Sequence, residues 1–242
     1  MAVKTVQAVI NGVTTTLTYN STSKKYEATI TAPATSSYNN NDGHYFPVTI
    51  KATDEAGNVT TKNATDATLG SSLQLRVKET TAPAITITYP TARALILNNK
   101  PAIRWKVTDN DSGVNPDTIG ITIDSGSKVA GSAITKTAIT GGYDCTYTPT
   151  AALADGSHTI KVDAADNDGN AATQKSVTFK IDTVPPTLNV TAPVNGLITN
   201  KAACTVTGTT NDITSSPVTV TVKLNSGTAE ADPVGADGSF SK

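Results

Sequence analysis

The chain has one methionine, one tryptophan, two cysteines and three phenylalanines in 242 residues, and aromatic residues make up only 5% of it. With so few large side chains the composition favours β-branched strands, while the length alone allows one large domain or two to three small ones, each with a modest core. Leu-rich helical periodicity is missing, so no long helix is expected. No apolar run is long enough to span a bilayer, and no membrane insertion is expected. Charge of one sign is missing as well. Lys and Arg number 19 against 20 Asp and Glu, for a net charge of -1, and no basic stripe carries interleaved aromatics. Nucleic acid is therefore not an expected partner. The N-terminus has no basic region followed by an apolar run, so a chain made and first folded in the cytosol is expected. There is no nucleophile elbow and no Gly-rich phosphate loop before a helix, and no carboxylates pair outside turns, so an enzyme is not expected.

What is present is a repeat. HYFPVTIKATDEAGN at 44–58 returns as HTIKVDAADNDGN at 158–170. Val48, Ile50 and Ala52 fall on Ile160, Val162 and Ala164, Asp54 falls on Asp166, and Gly57-Asn58 falls on Gly169-Asn170. A second element, AITITYP at 84–90, returns as TLNVTAP at 187–193. The period, on the order of 100 residues, suits small domains in tandem. The expected division is residues 1–82, 83–185 and 186–242, the last unit lacking the strand, turn and closing strand that end the other two.

Strand signals fill each unit. VKTVQAVI and VTTTLTY flank Asn11-Gly12, the strongest short-range hairpin signal. KYEATITAP (25–33), VTIKAT and LQLRVKE (73–79) read as further strands of the first unit, and TKNATDATLGSS as a loop insertion. The second unit offers ITITYP, PAIRWKVTD, IGITID, YDCTYTP, HTIKVDAAD and SVTFKID, the pattern of a β-sandwich with Trp105 as its core anchor. Cys145 and Cys204 fall in different units, which excludes an intradomain disulfide, and both read as small buried strand residues. Proline at Pro83, Pro185 and Pro186 makes the junctions short and stiff.

TYTPTAALADGSHTIKVDAADNDGN and DTVPPTLNVTAP resemble the signature and the interdomain junction of bacterial immunoglobulin-like repeat domains. The resemblance covers the second unit, the second half of the first, and the opening and DGSF (237–240) of the third. It implies an all-β fold of tandem immunoglobulin-like sandwiches arranged as an extended rod.

Candidate chemistry is confined to acidic turns. Asp109 and Asp111, Asp163, Asp166 and Asp168 with Asn170, and the matching Asp54 are the calcium candidates, because calcium takes six to eight oxygen ligands. The competing reading is that Asp and Asn bond their own backbone while Gly takes positive φ. No other cofactor is expected. His44 and His158 recur at the start of the same strand and read as structural. The Asn-rich loop at 36–46, with Tyr38, Asn40 and Tyr45, is the candidate ligand surface. The sequons at Asn58 and Asn63 are what a Thr-rich chain produces by chance. Two settings suit such a rod: a bacteriophage or phage-derived particle, or an exported cell-surface stalk or adhesin. Met1-Ala2 runs almost directly into a strand, which favours the virion. In that setting the first unit docks on other virion proteins in multiple copies, and later units face a host-surface glycan or protein.

Overall fold

The computed structural model describes residues 3–242; Met1 and Ala2, on which the preference for a virion turns, lie outside the described residues. In the first unit, strands β1 (Val3–Ile10), β2 (Val13–Asn20), β3 (Lys25–Glu27), β4 (Phe46–Asp54), β5 (Val59–Lys62) and β6 (Gln74–Leu75) form one sheet in the order β3-β2-β1-β4-β5, with β6 on β4. Asn11 and Gly12 take φ of 46° and 78°, the two positive values that a type I′ turn requires. They set the register Ile10↔Val13 through Val6↔Leu17.

Two expected strands are shorter than their sequences suggest. Only Lys25–Glu27 of KYEATITAP is paired. The side chains of Asn20 and Ser23 take up the two Glu27 carboxylate oxygens, and the chain leaves the sheet there. Of LQLRVKE, only Gln74–Leu75 joins the sheet. Val77 finds its backbone partners in the 36–46 loop instead: the Ser37 N–H donates to its carbonyl, and its own N–H donates to Ser37 Oγ. A backbone group satisfied by a side chain has no need of a strand neighbour.

The second unit is a complete sandwich. Its strands are β7 (Ala84–Tyr89), β8 (Leu95–Ile96), β9 (Ile103–Thr108), β10 (Val114–Ile123), β11 (Val129–Ala130), β12 (Thr135–Ile139), β13 (Gly142–Tyr147), β14 (Gly156–Asp166) and β15 (Lys175–Ile181). They form two sheets, β11-β10-β14-β15-β8 and β12-β13-β9-β7. The opening edge is split: β7 pairs antiparallel with β9, and β8 crosses over to pair parallel with β15. The core lies between the sheets. β9 alternates buried and exposed, as the two-residue period of a strand demands, and puts Ile103, Trp105 and Val107 inward. Ile121, Ile160, Val162 and Phe179 meet them from the other sheet, all fully buried. Trp105 is 0% exposed, as expected of the core anchor.

The third unit holds β16 (Thr187–Ala192), β17 (Thr207–Asn211), β18 (Val220–Val222), β19 (Glu230–Asp232) and β20 (Ser239–Ser241). They form the sheet β16-β17-β20 and the hairpin β18-β19.

The pairing shows which part of the sandwich each flanking unit repeats. Ala8↔Ile50 and Ile10↔Val48 in the first unit match Ile121↔Val162 and Ile123↔Ile160 in the second, so the first sheet repeats the β10-β14-β15 layer. Leu188↔Thr210 and Val190↔Gly208 in the third match Ile85↔Val107 and Ile87↔Trp105, so the third repeats the β7-β9-β13 layer. Cys145 is buried on β13, as expected, but Cys204 is exposed and outside any strand. Residues 200–205, between β16 and β17, are all exposed, and pairing resumes only at Val206, which exchanges backbone bonds with Lys242.

Candidate functional site at the first junction

The Asp-x-x-Gly-Asn turns build the same clasp twice. The Asn58 N–H donates to Asp54 Oδ1 at 2.8 Å and Asn58 Nδ2 donates to Asp54 Oδ2 at 2.9 Å. In the second unit Asn170 makes the same two bonds to Asp166, both at 2.7 Å. Gly57 and Gly169, at φ of 90° and 97°, close the turns in a backbone region that other residues avoid. In both turns Asp and Asn therefore bond each other, and the Asp54 carboxylate accepts only from its own turn among the described residues.

Asp166 does more, because the junction brings other carboxylates to it. The Glu79 N–H donates to Asp168 Oδ2 at 3.0 Å, and Asn170 Nδ2 donates to the Glu79 carbonyl at 3.1 Å. The Glu79 side chain reaches into the second unit, where its Oε1 accepts the Ser112 N–H at 2.6 Å. Asp109 closes the turn after β9: its Oδ1 accepts the N–H groups of Asp111 and Gly113 at 3.1 and 2.8 Å. These bonds place one ligand oxygen from each of Glu79, Asp109 and Asp166 within 4.8 Å of the other two. Asp109 and Asp166 are buried, at 8% and 1% exposure.

Three carboxylates so placed repel, and burial raises the cost of every uncompensated charge. Among the described residues no Lys, Arg or His forms an ion pair with any of them. Lys78, the nearest by sequence, donates to the Asp168 carbonyl instead. The Ser112 hydroxyl, on the residue whose N–H meets Glu79, is buried and lacks any hydrogen-bond partner. A cleft of about 460 Å³, lined in part by Glu79, Asp109 and Asp111, opens onto the cluster. The donor set is all oxygen and all anionic, which fits a hard divalent cation such as calcium.

The remaining candidates lie elsewhere. Asp111 accepts the Ser36 N–H and, through its carbonyl, Asn39 Nδ2, so it fastens the 36–46 loop to the second unit. Asp163 faces Gln174 and Lys128 on the sheet surface, away from the cluster. In the loop, the Tyr38 ring stacks on His44 with centroids 4.0 Å apart. Asn40 and Asn41 both spend their amides on the Tyr45 carbonyl. Tyr38 and Tyr45 are partly buried, and Asn40 is exposed.

Glu79, which brings the cluster together, reads from sequence only as the last residue of the LQLRVKE strand. The available signal was an acidic side chain just before the Thr-Ala-Pro linker, a position that Asp182 occupies before the next linker.

Residues 92–183 match the bacterial Ig-like domain family, and residues 186–242 match domain B of glucodextranase. No curated protein matches the chain. Among solved structures, CopC from Methylosinus trichosporium OB3b is 22% identical over 41% of this chain and 94% of its own, with a TM-score of 0.31. The fibronectin(III)-like modules of Clostridium thermocellum CbhA are 18% identical over 74% of this chain and 78% of their own, with a TM-score of 0.32. The SrpA adhesin of Streptococcus sanguinis is 17% identical over 57% of this chain and 94% of its own, also with a TM-score of 0.32. Residues 92–183, the greater part of the central unit, thus carry the match to the bacterial immunoglobulin-like domains.

Proposed function

We propose that the chain is a non-enzymatic structural and adhesive array of immunoglobulin-like domains, an extended rod whose first junction is stiffened by calcium. The observation that carries this reading is the junction itself: Ser36, Asn39, Lys78 and Glu79 all bond across it to Asp111, Ser112 or Asp168. A flexible tether between independent domains has no use for such bonds. A cation held by Glu79, Asp109 and Asp166 would add a tie that both units share.

The setting proposed is a bacteriophage or phage-derived particle, with the first unit docked on other virion proteins and later units projecting toward a host-surface glycan or protein. Both cysteines are unpaired, and Cys204 is exposed, which suits folding in a reducing compartment such as the cytoplasm where particles assemble. A second reading, an exported cell-surface stalk, is favoured by the acidic junction, since extracellular calcium modules work at about 10⁻⁴–10⁻³ M. Electron microscopy of the native source with antibody to residues 84–182 separates the two. Label on tails or capsids supports the virion, and label on cell walls replaces it with the stalk.

A further inference from the structure

The junction after the second unit is held differently from the first. Among the described residues no hydrogen bond or ion pair joins residues 84–182 to residues 187–242. The linker is gripped from one side only. Asp155 accepts the Thr183 N–H at 3.0 Å and the Thr183 hydroxyl at 2.9 Å, and Asp182 turns back to accept the Val184 N–H. Asp155 sits in the turn just before β14, and that turn is tied down by His158.

The two partners of the His158 ring are both acceptors. Nδ1 lies 2.8 Å from Asp124 Oδ2, and Nε2 lies 2.7 Å from the Ala154 carbonyl, one residue from Asp155. A neutral imidazole carries one N–H and can satisfy only one of them; the imidazolium satisfies both. Asp124 is fixed in turn, since its other oxygen accepts the Thr159 N–H at 2.8 Å. The side chain is 11% exposed. From β15 the group facing the ring is Phe179, with centroids 5.9 Å apart, and it carries no charge. The titratable group facing the ring is thus Asp124, from the turn after β10, while the Asp155 carboxylate, in the turn before β14, is engaged by Thr183.

We infer that His158 is a pH-operated latch on the second junction. As imidazolium it holds the Ala154–Asp155 turn against Asp124, and Asp155 holds the linker at Thr183; on losing its proton the ring releases one of its two partners and the grip on Thr183 loosens. Burial pulls the ring's titration down, but the Ala154 carbonyl and the Asp124 carboxylate more than offset this, so it titrates above its ordinary value. The closed state therefore extends toward neutral pH.

The test is amide hydrogen exchange on the whole chain by NMR, with protection factors corrected for intrinsic rates. The Thr183 amide is expected to lose about tenfold in protection between about pH 6 and about pH 8.5, in step with the His158 ring resonances. In His158→Gln, which cannot gain charge, that pH dependence disappears. Asp124→Asn is expected to move the ring's titration down and the loss of protection with it. Equal Thr183 protection on both sides of the His158 titration, or an unchanged pH profile in His158→Gln, overturns the latch.

Discussion

Asp111 accepts the Ser36 backbone N–H with both carboxylate oxygens, at 2.9 and 3.1 Å, across 75 residues of sequence. The bond joins the first unit's loop to the turn after β9 and carries a full negative charge against a partly buried donor. Hydrogen bonds to charged groups contribute about 1.5–3 kcal/mol. Asp111→Ala is expected to raise the exchange rate of the Ser36 amide by roughly tenfold or more, while the β9 amides keep their protection. Unchanged exchange at Ser36 would mean that the loop is held by its own bonds alone.

Calcium is expected to stabilise the first junction. With a dissociation constant in the range of extracellular modules, about 10 mM calcium adds about 1–3 kcal/mol. Glu79→Gln keeps an acceptor for the Ser112 N–H but removes a charge, and should lose most of that gain. Thermal unfolding with and without calcium reads the effect, and equal midpoints in the native chain would remove calcium from the junction.

The two thiols should separate cleanly in reactivity. Burial pushes the Cys145 thiol up to about 11, and the residue is 0% exposed, so little thiolate forms near neutral pH. Cys204 is exposed. Titration with an aromatic disulfide reagent should find one thiol quickly in the folded chain and the second only in denaturant. Two fast thiols would contradict the packing of β13 against β9.

Core changes should stay within their own units. Trp105→Ala removes the largest buried side chain and is expected to cost about 3–5 kcal/mol. Gly208→Val puts a Cβ into the Asn189 carbonyl and the Phe240 ring, and overpacking of this kind costs about 1–3 kcal/mol. Differential calorimetry should show the first change moving the transition of residues 84–181 and the second that of residues 187–241. Either change moving both transitions would mean that the units unfold together.

Local rules made much of this fold legible. The Asn11-Gly12 hairpin, the inward face of β9 and the two Asp-x-x-Gly-Asn turns follow from residues that are neighbours in sequence, where turn chemistry and period-two burial act directly. The acidic cluster was half legible. Asp109 and Asp166 stand out by repeat position, but Glu79 joins them through a junction that no local pattern encodes. Cys204 and the tail of KYEATITAP mark the same limit. Both look like strand, and neither finds a neighbour, because pairing depends on what the rest of the chain places alongside.

In β9 and β13 the large residue is Trp105 and its partner across the ladder is Cys145, whereas in β17 and β20 the small residue is Gly208 and the ring belongs to Phe240. Similar domains in tandem are prone to exchange strands while they fold. Here an exchange would set Gly208 beside Cys145 and leave a void, or force Trp105 against Phe240 in space that a glycine had vacated. The difference in side-chain size at this one position disfavours exchange of these strands between the second and third units, as a built-in cost against mispairing.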